Sequence, residues 1–308
     1  MGQGNGYGKT ILVGEHFVVS GNHAIVAGIS AKTTCNVERI KGNHYELADN
    51  RPATPGYKEE KEAQMKESLS LIFKAMKIDP KKTPMKITLA GDLVAASGVG
   101  ASAANCAAIA RALSDEFGMK LSDGQINAIA FEGEKGYHGT PSGVDNTAAV
   151  FGGLLLYQKG NPPKFEPIKA KSKIEIVLGD TGVVGNTKEL VAGVQARKAN
   201  DPSTYERIFA EAEELTIKAK KALETGDLKI LAEVMNRNQE LLRAVGVSHD
   251  SLEKLIQITR DEGAPAAKLT GGGGGGLMIA LTPGTDLQVR VSKALQARGY
   301  RTVEAVIG

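Results

Sequence analysis

The chain of 308 residues contains no tryptophan, and aromatic residues make up only 5% of it. Stacking platforms for bases are therefore scarce, and a net charge of +3 without a concentrated basic stripe argues against nucleic acid as a partner. Cysteine is nearly absent. Cys35 and Cys106 are too few for a disulfide framework and lack metal-ligand spacing, so a reducing compartment is expected. No apolar run approaches the ~18 residues that span a bilayer, and no membrane partner is expected. The opening MGQGNGYGK has no signal-peptide core, and Gly6 stands where N-myristoylation requires Ser or Thr. A cytoplasmic enzyme is the expected class. Proline is modest, and Gly plus Pro reach only about 16% with no Gly-X-Y period, which excludes collagen and low-complexity disorder.

What the chain does have is glycine. Its 37 glycines are about 12% of the residues, against a typical ~7%. With 42% hydrophobic and 24% charged residues the rest is ordinary globular composition, at a length that suits about two domains.

Runs rich in β-branched residues predict strands at Lys9–Val13, Ile25–Ala27 and Lys32–Glu38. A charged helix follows over 59–76, a strand at Met85–Leu89, and an Ala-rich helix over 101–117 with Ile109, Leu113 and Phe117 on one face. The next helix opens on the capping-box spacing of Ser122 and Gln125 and ends near Lys135. After a strand at Gly153–Tyr157, the turn Gly160-Asn161-Pro162-Pro163 is the candidate domain link. The second half reads strand (174–178), helices (204–223, 227–244, 251–261), two adjacent strands (266–269, 277–281), helix (286–297) and strand (302–307). That order is a split βαβ pattern with inserted helices.

Four constellations could carry chemistry. Ala96-Ser97-Gly98-Val99-Gly100-Ala101-Ser102-Ala103-Ala104 runs directly into the Ala-rich helix. Glycines admit a close backbone approach and a helix N-terminus offers free N–H groups, which suits phosphate, with the Ser102 hydroxyl in reach of a phosphate-bound metal. A tight turn before a packed helix fits the same residues. The dinucleotide fingerprint is matched formally by Gly98, Gly100 and Ala103, but eight residues separate the preceding strand from the first glycine. In the stretch 132–146, Glu134 and Asp145 flank a Pro/Gly turn and could converge as a magnesium ligand and a catalytic carboxylate. Lys268-Leu269-Thr270 precedes six glycines, Gly271 to Gly276, whose apolar flanks place them inside a domain and not in a linker. At the N-terminus, Gly8-Lys9 begins a strand that leads to Gly14-Glu15-His16. Phosphoryl transfer needs this combination of phosphate cradle, metal, cation and aligned carboxylate.

These four motifs, in their order along the chain, resemble those of the GHMP small-molecule kinases, and GEHFVVSGNHAIVAGI and GEKGYHGTPSGVDNTAAVFGGLLLY are most similar to the mevalonate kinases, in particular a protozoan-like branch. The resemblance implies an α+β fold of two lobes, a ribosomal-protein-like N-terminal lobe (1–165) and a ferredoxin-like C-terminal lobe with inserted helices (166–308), with the active site in the cleft between them. It implies ATP as co-substrate, Mg2+, and mevalonate as the substrate of a monomer or homodimer. Asp145 would face the substrate hydroxyl with Lys9 as its cationic neighbour. Glu15, His16 and Thr187 would join Lys9 and Asp145 around the substrate. Gly98, Val99, Gly100, Ala101, Ser102, Ala103 and Ala104, with Gly271 and Gly272, would hold ATP, and Ser102 and Glu134 the metal. Some relatives carry Arg two residues before Thr187. Here that residue is Gly185, which leaves Lys188 as the candidate partner of the substrate carboxylate. A phosphomevalonate or sugar kinase and a catalytically silent nucleotide sensor are the alternatives. The segments 2–14, 97–103, 132–145 and 268–276 hold 17 of the 37 glycines. The expectation is that backbone meets phosphate or substrate in all four.

Overall fold

Backbone contacts divide the computed structural model, which describes residues 1–53, 56–94, 98–160 and 162–308, into two compact units. The first is Met1–Lys9 with Gly28–Gly152, the second Thr10–Ala27 with Gly153–Gly308. Strands β1 (Gly2–Val13) and β2 (His23–Arg39) contribute residues to both.

The first unit continues with β3 (Tyr45–Asp49), α1 (Tyr57–Glu60), α2 (Glu62–Met76), β4 (Met85–Gly91), α3 (Ala101–Glu116), α4 (Asp123–His138) and α5 (Val144–Phe151). Here β2 pairs antiparallel with β4 from Thr33↔Gly91 to Arg39↔Met85, and β3 runs parallel to β4. Alternation along β4 buries Met85, Ile87 and Leu89. Ser122 caps α4 and Gln125 returns the bond, the capping box expected from their spacing.

Glycine at every second position from Gly2 to Gly8 sets one face of β1. A Cβ on Gly2, Gly4 or Gly6 would stand 2.3, 2.2 or 2.1 Å from the carbonyl oxygens of Ala112, Ala108 and Ala104 in α3. Two strand residues advance about 6.7 Å and four helical residues about 6 Å, so bare backbone meets bare backbone three times in register. Gly2, Gly4 and Gly6 serve packing, which corrects, for these glycines, the expectation that backbone in the segment 2–14 meets phosphate or substrate.

The second unit contains β5 (Leu154–Gln158), β6 (Lys164–Ile168), β7 (Ile174–Asp180), α6 (Thr187–Asn200), α7 (Pro202–Thr225), α8 (Leu228–Ala244), α9 (Asp250–Asp261), β8 (Ala266–Thr270), β9 (Leu277–Leu281), α10 (Thr285–Gln296) and β10 (Arg301–Ile307). Its antiparallel sheet has the order β10-β7-β9-β8. The first strand of the four therefore lies between the last and the third, which is the expected ferredoxin-like pattern. Leu255, Leu269, Met278, Val291 and Leu295 are buried in its core. Asn186, Asp201 and Asp227 cap α6, α7 and α8 through their side chains.

Several expectations change. The two strands predicted over 25–38 are one, β2, because Gly28 and Ser30 extend instead of turning. Helix α4 runs past Lys135 to His138, since Gly133 and Gly136 lie where a Cβ would meet Ile72 Cγ1 at 2.8 Å and the Ser68 nitrogen at 2.4 Å. The candidate link at 160–163, of which Asn161 lies outside the described residues, falls between the antiparallel partners β5 and β6 and not between two sheets. The 165/166 border expected between lobes falls inside β6, and residues 10–27 group with the C-terminal half because His23–Ala27 pair with β5.

Candidate active site

In the first unit the site is built on the start of α3. Its N-cap is Gly100, at φ 72, with no side-chain capping bond. The first-turn N–H groups thus meet no side-chain acceptor from that position, an arrangement suited to an anion. Gly100 has a second use: a Cβ there would sit 2.8 Å from Lys9 Cγ, so its absence lets the lysine stem pass. Lys9 is fixed at its backbone by donation to Val99 O at 2.7 Å, and its buried ammonium lies 3.0 Å from Asp145 Oδ1. Gly98, Val99, Gly100, Ala101, Ser102, Ala103 and Ala104 are all in this cradle or the first turn of α3, whereas Ala96 and Ser97 lie outside the described residues. Asp145 is in the first turn of α5, a helix where a loop had been expected.

Glu134, on α4, is 1% exposed, and its Oε1 is buried without a hydrogen-bond partner. Burial and the nearby charge of Asp145 push its pKa up to about 8, against the opposing pull of the Ser102 hydroxyl and Lys9. His138, one turn on, places Nε2 3.2 Å from Ser102 Oγ and 3.9 Å from Glu134 Oε2. Burial lowers its pKa. Sequence reasoning gave His138 no role; the i, i+4 spacing from Glu134 was the available signal.

The second unit gathers the other predicted residues. His16 is buried at φ 61, a strained conformation for a non-glycine residue. Its Nε2 is 2.8 Å from the carbonyl of Gly272, which only accepts, so Nε2 carries the proton and the buried Nδ1 keeps a lone pair with no partner. Burial first, then the cations Lys268 and Arg197, lower its pKa despite that hydrogen bond. Thr187 begins α6, and a Cβ on Gly272 would lie 2.0 Å from its Oγ1. Glu15 is fully buried and ion-paired to Lys268, which also donates to Leu269 O at 2.6 Å. Burial pushes the Lys268 pKa down while Glu15 opposes it. The second unit thus brings together Glu15, His16, Thr187 and Gly272. Gly271 has open space around its Cα hydrogens.

Lys188 is exposed in the first turn of α6. A Cβ at Gly185 would stand 2.1 Å from the Gly273 carbonyl oxygen, so no side chain fits there, arginine included.

Family models agree with this geometry. The model of the GHMP kinases N terminal domain matches residues 65–153, and that of the GHMP kinases C terminal matches 219–301. A mevalonate kinase of Pyrococcus horikoshii is 35% identical over 300 residues, covering 91% of this chain and 88% of that protein. The chain belongs to the GHMP kinases and, within them, to the mevalonate kinase family. Among solved structures, L. major mevalonate kinase in complex with R-mevalonate is similar at 38% identity and a TM-score of 0.94, covering 100% of this chain and 96% of that one. A Streptococcus pneumoniae phosphomevalonate kinase shares the fold at 17% identity and a TM-score of 0.76, covering 99% and 100%.

Membership in the mevalonate kinase family makes ATP the co-substrate, and the α3 cradle suits its phosphates. Among the described residues no cluster of three His, Cys, Asp or Glu side chains could hold a metal alone. Magnesium typically takes one or two protein ligands beside phosphate and water. The partnerless buried Oε1 of Glu134 fits such a cation, which would also favour the ionised carboxylate.

Proposed function

We propose that this kinase transfers the γ-phosphoryl group of ATP to the 5-hydroxyl of (R)-mevalonate, yielding 5-phosphomevalonate and ADP. The observation that carries the reading is the Lys9–Asp145 pair, 3.0 Å apart, behind the uncapped N-terminus of α3. In the reaction the hydroxyl oxygen forms a bond to the γ-phosphorus as the bond from that phosphorus to the ADP oxygen breaks. Asp145 accepts the hydrogen bond of the attacking hydroxyl and aligns its lone pair, and the proton this oxygen loses as the bond forms passes to Asp145 or to a phosphate oxygen. Lys9 offsets negative charge developing on the transferred group, and the N–H groups at the start of α3 hold the phosphates. Because phosphoryl transfer runs through a loose transition state, alignment and charge supply most of the barrier lowering.

Glu15, His16 and Thr187 line the substrate in this reading, with the His16 Nδ1 lone pair accepting from a substrate hydroxyl. Gly271 and Gly272 approach the nucleotide through backbone alone. Ser102 and Glu134 would hold Mg2+, whose charge when bound neutralises phosphate oxygens. The absence of Arg from residues 6–16 and 132–146 favours a substrate without a phosphate of its own. On this reading the enzyme would serve isoprenoid biosynthesis in the cytoplasm, as a monomer or homodimer. Among the described residues no helix is long and apolar enough to cross a membrane.

The test is ADP release measured with mevalonate, phosphomevalonate, galactose and homoserine. Mevalonate is the expected preference, and preference for another substrate overturns the reading. Asp145→Ala and Lys9→Ala are expected to lower kcat by about 100- to 1000-fold while ATP binding persists. Near-normal turnover by folded Asp145→Ala would remove the role given to that carboxylate.

A further inference from the structure

The second unit contains a pocket of about 400 Å³ lined by Val184, Gly185, Asn186, Glu189, Leu190, Gly193, Arg197 and Gly274. Three of the lining residues are glycines, Gly185, Gly193 and Gly274. Gly185 is held against the tract, where its own Cβ would strike Gly273 O, and on α6 a Cβ at Gly193 would sit 3.2 Å from Arg197 Nη1. The guanidinium is anchored at one end only, by donation from Nη2 to Val245 O at 2.7 Å. Among the described residues no carboxylate lies within ion-pair distance of it. Glu189 is the one acidic residue in the lining, and it makes no ion pair with Arg197. A guanidinium presents five donors in a planar fork that matches a carboxylate, and most of this fork is uncommitted.

The pocket adjoins the residues already assigned to the substrate. Gly274, in its wall, belongs to the glycine tract whose Gly272 touches both His16 and Thr187. Asn186, also in the wall, precedes Thr187 and caps α6. Arg197 is near enough for its charge to act on the His16 imidazole. Lys188, by contrast, is exposed and absent from the lining. We infer that Arg197 receives the carboxylate of the substrate in this pocket, filling the role for which position 185 has no room. The inference rests on the reading of mevalonate as substrate, and it makes Arg197 the residue that selects an acid over an uncharged polyol.

The experiment uses the full chain. The KM for mevalonate is measured for the wild type, Arg197→Gln, Arg197→Lys and Lys188→Gln, together with the inhibition constant of the uncharged analogue 3-methylpentane-1,3,5-triol. Arg197→Gln is expected to raise the KM for mevalonate about 10- to 100-fold, with the KM for ATP and the triol constant unchanged. Arg197→Lys should recover part of the loss, and Lys188→Gln should match the wild type. Equal weakening of mevalonate and triol would assign Arg197 to the fold through Val245 and overturn the inference. So would an unchanged mevalonate KM in Arg197→Gln, or a loss confined to Lys188→Gln. If Arg197→Gln does not fold, Arg197→Lys, which keeps a donor for Val245 O, carries the same comparison of acid against triol. A wild type inactive on mevalonate sinks the functional reading as well. Activity on mevalonate that is indifferent to Arg197 sinks the inference alone.

Discussion

The two densest glycine stretches of the chain look alike in sequence and do opposite work. Gly2, Gly4, Gly6 and Gly8 alternate in an extended strand, and their missing side chains let β1 lie against the carbonyls of α3. Of Gly271 to Gly276, all but Gly272 have positive φ, between 68° and 128°. That tract is a turn only glycine adopts without strain, and it supports His16 and Thr187. Spacing separates the two cases: every second residue marks a strand face, a continuous run marks a turn. The consequences of mutation should separate in the same way, with stability lost in one stretch and substrate handling in the other.

The largest effect is expected in the strand. Gly4→Ala and Gly6→Ala push a methyl into a helix backbone, which cannot rotate aside, and should each cost about 3 kcal/mol or more. Denaturant midpoints would register this, while kcat and KM per folded molecule stay near wild type. A kinetic defect without loss of stability would break the comparison. Next is Gly272→Ala, whose new Cβ meets the Thr187 hydroxyl. Displacement of Thr187 and His16 should lower kcat/KM for mevalonate about 10- to 100-fold, with a smaller change in stability. If stability falls as far as in Gly4→Ala, the tract is a packing element too.

The smallest effect is a pH dependence that, of the two glycine stretches, only the tract contributes, through His16 beside it. The folded protein holds the pKa of His16 below its ordinary 6.5. Below pH 6.5 the unfolded chain therefore takes up a proton that the folded chain refuses, and stability falls as pH drops through that value. Comparing denaturant midpoints from pH 5 to 8, His16→Gln should flatten this slope. Gly4→Ala should give a curve parallel to the wild type, only lower, because no titratable group is altered. An unchanged slope in His16→Gln would show that the imidazole is not held neutral.

Much of the fold was legible because its signals are local. The capping box at Ser122, the Asp201-Pro202 start of α7 and the alternation along β4 need only neighbouring residues to be read. The order of strands and helices in the second half was enough to give the ferredoxin-like pattern. Helix α5, the hairpin of β5 and β6 and helix α6 were missed, since short or polar elements take their stability from packing partners absent from a local window. For the proposed site, Lys9, Ser102, Glu134 and Asp145 were singled out by their glycine surroundings. Arg197 was not, because it sits in an unremarkable charged helix and acquires meaning only from the pocket beside it. The use of Gly2 to Gly8 was misread because an excess of glycine does not say whether backbone faces a ligand or another backbone.

The second unit joins residues near the start of the chain to residues near its end. Gly14 donates to Asn238 at 3.0 Å, the hydroxyls of Thr10 and Thr270 are 3.0 Å apart, and Glu15 pairs with Lys268. During synthesis these residues emerge more than 200 residues before their partners exist. Residues 10–27 are therefore an apolar segment with Leu12, Val13, Phe17 and Ile25 unsheltered until late, the kind of intermediate that aggregates or recruits chaperones. Neither unit is contiguous in sequence, so no single proteolytic cut or gene truncation yields either one whole. The two units alternate along the chain, so no circular permutation makes either one contiguous, and dissecting the enzyme would call for splicing the two segments of a unit directly together.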